Sequence, residues 1–110
     1  MTLREKQSAF AQLVARLILH AHDLGYAVTL GEAYRSLAEA ERLGFVHTLH
    51  TQRLAIDLNL FLGGRWLKST EAHRPLGEWW EAQSTDGLMC CWGGRFMDGN
   101  HYSVEHDGLR

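Results

Sequence analysis

The chain predicts an α+β domain, with helices packed on a small, mainly antiparallel sheet. Three observations point there. Phe10, Leu13, Val14, Leu17, Ala21 and Leu24 recur at helical spacing and define one apolar face. From Leu54 to Leu62 the period shortens to two, so that Leu54, Ile56, Leu58 and Leu60 face one way while Ala55, Asp57, Asn59 and Phe61 face the other. Gly63-Gly64 then makes a turn, and Arg65-Trp-Leu67 begins a returning strand.

Taken in order, Thr2-Leu-Arg-Glu5 fits a capping box that starts the first helix, and Gly25 ends it. The stripe on that helix belongs to the core. Tyr26 to Leu30 is rich in β-formers and reads as a short strand. Ser36 caps a second helix that runs to about Leu43, where Gly44 breaks it, and Phe45 to His50 is irregular. Beyond the hairpin, Pro75 stands just ahead of a helix through Glu78, Trp79, Trp80 and Gln83. Leu88 to Trp92 is apolar and buried, Gly93-Gly94 leads into Arg95-Phe96-Met97, and a last strand covers His101 to Glu105.

A length of 110 residues allows one small domain, residues 1–110, with a single core. The net charge of -2 argues against binding nucleic acid or an anionic membrane through bulk charge. Four Trp and eleven Gly suit a loop-bearing fold with an aromatic-lined cleft. Cys90 and Cys91 are adjacent, so a disulfide between them would be strained. They read as free thiols, one of them buried, in a chain folded in a reducing compartment. They also lack the two-residue spacer that lets both sulfurs face one metal. The N-terminal apolar face is interrupted by Gln12, Arg16, His20, His22 and Asp23, and no secretion leader is visible.

Two segments carry chemistry: His50-Thr-Gln-Arg-Leu-Ala-Ile-Asp57 and Asp98-Gly-Asn-His101. They supply two imidazoles, a carboxylate and a spare carboxylate, the inventory of a catalytic zinc site with one position left open. Two ligands of one zinc sit roughly 3 to 4 Å apart, each about 2 Å from the metal. Along a straight strand the seven-residue step from His50 to Asp57 would span about 23 Å. The chain must therefore turn back at Thr51-Gln-Arg53. Asp98 and His101, three apart, can meet across a tight bend, with the carboxylate acting as a base beside the open position. On spacing alone His47, His73 and His106 compete for the ligand roles.

Gly31-Glu-Ala-Tyr-Arg-Ser36, Leu49-His-Thr-Gln-Arg-Leu-Ala-Ile-Asp-Leu58 and Trp92-Gly-Gly-Arg-Phe-Met-Asp-Gly-Asn-His101 occur in this order. Together they resemble the VanY-like D-Ala-D-Ala carboxypeptidase and L-alanyl-D-glutamate peptidase family, in its short phage endolysin branch. The resemblance covers nearly the whole chain. It implies a Hedgehog/D-Ala-D-Ala peptidase-like fold, Zn2+ bound by His50, Asp57 and His101, and Asp98 as general base. It also implies that Arg35 steadies the substrate oxygen, whereas the residues by themselves also allow a salt bridge from Arg35 to Glu32 or Glu39. The implied substrate is the peptidoglycan stem peptide, cut between L-Ala and D-Glu, with D-Ala-D-Ala carboxypeptidase activity as the neighbouring alternative. The implied setting is a monomer without stable membrane association, held in the host cytoplasm until a holin opens the way to the wall. Trp92 and Tyr102 flank the last motif and either line the cleft or pack in the core. Two positions depart from the broader family: Arg53 stands where Gly is frequent, and Thr48 where Ser is. A zinc-stabilised module that grips stem peptides without cutting them, and a metal-free interaction domain, are the readings from other classes.

Overall fold

The computed structural model describes all residues from Met1 to Arg110. The elements run α1 (Leu3–Asp23), β1 (Ala27–Leu30), α2 (Leu37–Leu43), β2 (Ala55–Leu62), β3 (Arg65–Leu67), α3 (Arg74–Ala82), β4 (Cys90–Trp92) and β5 (His101–Val104). Short 3-10 turns cover Leu49–Gln52, Glu71–His73 and Gly93–Phe96. Every strand pairing is antiparallel, with strand order β1-β2-β5-β4 and β3 also paired to β2. The fold is α+β, as the periodicities require. No helix is long and apolar enough to cross a membrane.

The capping box at the start of α1 closes in both directions: the Glu5 amide donates to Thr2 Oγ1 at 3.1 Å, and the Thr2 amide donates to Glu5 Oε1 at 3.0 Å. Two orphan donors of the first turn are thereby satisfied. Phe10, Leu13, Leu17 and Ala21 bury their side chains, and Val14 packs against the same core. Leu24 does not join them. It is the C-cap, 49% exposed, because the chain leaves the helix axis there. Ser36 caps α2 by accepting from the Glu39 amide, and Gly44 ends that helix in the left-handed conformation. Pro75 lies inside the first turn of α3 and not ahead of it, where its missing N–H costs nothing.

The core lies between the sheet and helices α1 and α3. Leu54, Ile56, Leu58 and Leu60 bury one face of β2, and Trp80, Trp92 and Tyr102 are fully buried. Phe10 meets Trp80 edge to face at 5.9 Å, and the Trp80 indole N–H donates to the Ser103 carbonyl at 2.9 Å. Trp92 and Tyr102 are therefore core residues, and neither lines the cleft that holds His50, Asp57 and His101. Both Cys90 and Cys91 are buried free thiols, where the sequence suggested only one. Burial pushes the Cys90 thiol up to about 11.

The strand that matters for function is β2. Its outer face carries Asp57, Asn59 and Phe61, all partly exposed. β1 lies along one edge, and its pairing is prolonged past Leu30: the Gly31 amide donates to the Asp57 carbonyl, and the Asp57 amide donates to the Glu32 carbonyl. Both backbone groups of Asp57 thus point toward the β1 edge. On the opposite edge Asp57 is directly across from His101. That pair is consequently of the non-hydrogen-bonded kind, in which facing side chains stand closest.

Candidate metal centre

Each ligand candidate arrives on a different local structure. Thr48 accepts from the His50 amide at 3.3 Å and starts the 3-10 turn Leu49–Gln52. Arg53 ends that turn at a φ of 57°, in the left-handed region where a residue without a Cβ is at ease. The reversal expected at Thr51-Gln-Arg53 is thus real, and it brings His50 back over Asp57. His101 opens β5 across from Asp57. Before it, the Asp98 amide donates to the Gly93 carbonyl at 2.9 Å, and the His101 amide donates to the Asp98 carbonyl at 3.1 Å. This is the tight bend that a three-residue spacing suggested. Gly93 is required within it, since a Cβ there would lie 2.2 Å from the Asp98 oxygen and 2.7 Å from the His101 Cβ.

His50 Nε2 and His101 Nδ1 each lie 3.4 Å from Asp57 Oδ1. One ligand atom from each of the three residues falls within 4.8 Å of the other two. His50 Nδ1 lies 2.7 Å from the Ala33 carbonyl. A carbonyl can only accept, so Nδ1 carries the proton and Nε2 keeps its lone pair toward Asp57. Asp57 Oδ1 is buried without a hydrogen-bond partner. An orphaned carboxylate oxygen between two imidazole nitrogens, at the spacing of ligands about 2 Å from a shared cation, is what a metal would satisfy. The residues present fit a metal ion.

The electrostatics agree. Burial works to raise the Asp57 pKa, but the His101 and His50 imidazoles beside it outweigh that and hold the carboxyl down at about 2. Burial likewise opposes protonation of His50, yet Asp57 and the Ala33 carbonyl raise its pKa overall. The site is built for positive charge beside Asp57.

Asp98 stands at the rim, 54% exposed at its side chain, with Oδ2 4.0 Å from His101 Nδ1. Arg35 lines the same cleft, which has a volume of about 290 Å³. Its amide donates to the His50 carbonyl at 3.1 Å, and its guanidinium forms a two-pronged pair with the Glu32 carboxylate. Arg35 therefore lines the cleft of the ligand candidates, and of the two salt bridges its neighbours allowed it makes the one to Glu32. Phe45 and Phe96, not tryptophans, form the aromatic wall of the cleft.

Of the competing histidines, His47 lines the cleft without joining the cluster. His73 is buried elsewhere with Nδ1 2.9 Å from the Tyr102 hydroxyl, and burial lowers its pKa to about 4. His106 lies 3.2 Å from the Lys6 ammonium near the chain end. Sequence reasoning missed the Ala33 carbonyl, a backbone atom with no sequence signature. It also passed over Phe45 and Phe96, which no spacing ties to the histidines.

Fold and site together define an α+β domain with a candidate metal centre of two histidines and one aspartate. Comparison with protein-family models and with curated proteins finds no match for this chain.

Proposed function

We propose that this chain is a zinc peptidase acting on bacterial peptidoglycan stem peptides, with the bond between L-Ala and D-Glu as its first substrate. The observation that carries the reading is the convergence of His50, Asp57 and His101 around an unsatisfied carboxylate oxygen, with Asp98 and Arg35 on the walls of the same cleft. The motif resemblance supplies the substrate class. Zinc suits the donor set, because two imidazoles and one carboxylate leave a coordination position free and a net positive charge.

His50, Asp57 and His101 would hold the ion. A zinc ion held there supplies Lewis acidity, polarising a carbonyl and acidifying water. Asp98, open to solvent at the rim, takes the proton of the attacking water and returns it to the leaving amine. Arg35 presents a fixed cation to the oxygen that gains charge, and its pairing with Glu32 keeps the guanidinium from swinging away. Phe45 and Phe96 shield the reacting group from bulk water on their side. The same arrangement serves a D-Ala-D-Ala carboxypeptidase, since only the residues flanking the bond differ. Action would be by a monomer, held in the host cytoplasm and released to the wall through a holin.

A second reading has one observation in its favour. The charge of Arg35 is already engaged by Glu32, as in a structural ion pair, which suits a zinc-stabilised module that binds stem peptides without cutting them. Asp98→Ala separates the two. The peptidase loses turnover of a synthetic stem peptide and keeps one equivalent of zinc, whereas the binding module shows no turnover to lose and unchanged peptide affinity.

A further inference from the structure

A second pocket of about 290 Å³ opens on the far side of Asp98. Asp98 is the one residue that lines both this pocket and the metal cleft, so a bound chain would pass over it from one to the other. The pocket is polar, walled by Asn59, Thr70, His73 and Asn100. Lys68 is its only cationic side chain, and its ammonium sits 4.5 Å from the centre of the Trp66 ring. That contact holds a flexible side chain in one place. His73 is buried and neutral at neutral pH, and its Nδ1 is taken by Tyr102, leaving Nε2 for the pocket.

We propose that this pocket receives the residue on the amine side of the scissile bond, and that Lys68 selects for a free carboxylate on that residue. The inference rests on the peptidase reading above and extends it to substrate selection. The direction follows from the roles of the residues. Arg35 and the ligand cluster face the carbonyl side and do not line the second pocket, whereas Asp98, which protonates the leaving amine, lines both. The volume lies just below that of ligand pockets, which run from about 300 to 1,000 Å³, and suits one residue better than a long segment. A carboxylate entering here comes close to Asp98 and is repelled by it. The Lys68 cation in the same pocket offsets that repulsion, and donors from Asn59 and Asn100 can complete the carboxylate's hydrogen bonds. An internal D-Glu joined through its side-chain carboxyl and a terminal D-Ala both present such a carboxylate, so the shared chemistry is a carboxylate close to the new amine.

The test uses two pairs of synthetic stem peptides with the zinc-loaded protein. One pair carries the D-Glu α-carboxyl as acid or as primary amide, and the other ends in D-Ala as acid or as amide. The pair that is cut identifies the source of the carboxylate. The wild-type chain should favour the acid of that pair by roughly tenfold or more in kcat/KM, the scale of one charge-assisted hydrogen bond. Lys68→Met should abolish the preference while zinc content stays unchanged. Equal rates on acid and amide in the wild type, or a preference that survives Lys68→Met, overturn the proposal. If neither pair is cut, the peptidase reading fails by itself. The pocket is then decided by titrating free D-Glu and D-Ala while following the Trp66 indole N–H by NMR. A saturable shift that Lys68→Met removes upholds a carboxylate site, and no shift overturns it.

Discussion

His50 enters the centre with its tautomer already chosen by the Ala33 carbonyl, and Asp57 enters with an oxygen that nothing in the protein satisfies. At this scale a candidate metal-binding group was legible in the sequence. His50, Asp57, Asp98 and His101 are the residue types a hydrolytic metal site uses, at spacings that fold back on themselves. Spacing alone left open which histidines converge, because His47 and His73 differ from the ligands only in where the chain puts them; the motif resemblance singled out His50 and His101. The Glu32 pairing of Arg35 was one of two salt bridges the residues allowed, and side-chain geometry alone chose it. Two substitutions test the roles. His50→Ala should weaken zinc binding by more than about 100-fold, since a lost ligand costs more than a lost partner of a ligand. Competition against a chromophoric chelator measures this. Asp98→Asn keeps the shape and removes the base, so kcat should fall by about 10²–10⁴-fold with zinc affinity retained.

Among the elements, β2 and the two bends around it do most to assemble the centre. The alternation from Leu54 to Leu62 announced which face of β2 carries Asp57. It could not announce that His101 lies directly opposite, because antiparallel register is a long-range fact. The bend at Gly93 is testable. Gly93→Ala forces a Cβ into the Asp98 carbonyl and the His101 side chain, so it should cost on the order of 1–3 kcal/mol and loosen zinc binding as well. Urea unfolding with and without zinc reads both effects. The turn at Arg53 offers a subtler comparison. Its φ of 57° strains any residue with a Cβ, while its guanidinium lies 4.0 Å from the centre of the Tyr34 ring. Arg53→Gly should be more stable than Arg53→Ala by about 1 kcal/mol, because neither keeps the ring contact and only glycine relieves the backbone. Equal stabilities would mean that the turn relaxes. The positive φ was not readable from a sequence in which an arginine occupies the position.

For the molecule as a whole, the α+β class and the order of elements followed from periodicity, caps and glycines. The placement of Trp92 and Tyr102 did not, since an aromatic beside a motif serves a core as readily as a cleft. The burial of His73 creates a pH dependence. Burial lowers its pKa from an ordinary 6.5 to about 4, so between those values the unfolded chain binds more protons than the folded one. Stability should therefore fall as pH drops from 6.5 to 4, by up to about 3 kcal/mol. His50, whose folded pKa is raised, contributes fully below its unfolded value and does not tilt that window. Unfolding of metal-free protein across the range measures the slope, and His73→Gln, which can still hydrogen-bond Tyr102, should flatten it. An unchanged slope would place the titration elsewhere.

The most direct test of the central claim is mass spectrometry of purified peptidoglycan after incubation with protein carrying one equivalent of zinc, with and without a chelator. A zinc peptidase of this specificity gives chelator-sensitive release of a peptide that begins at D-Glu. Loss of the terminal D-Ala alone would move the cut to the carboxypeptidase bond and keep the zinc peptidase. Intact stem peptides from fully loaded protein would contradict it.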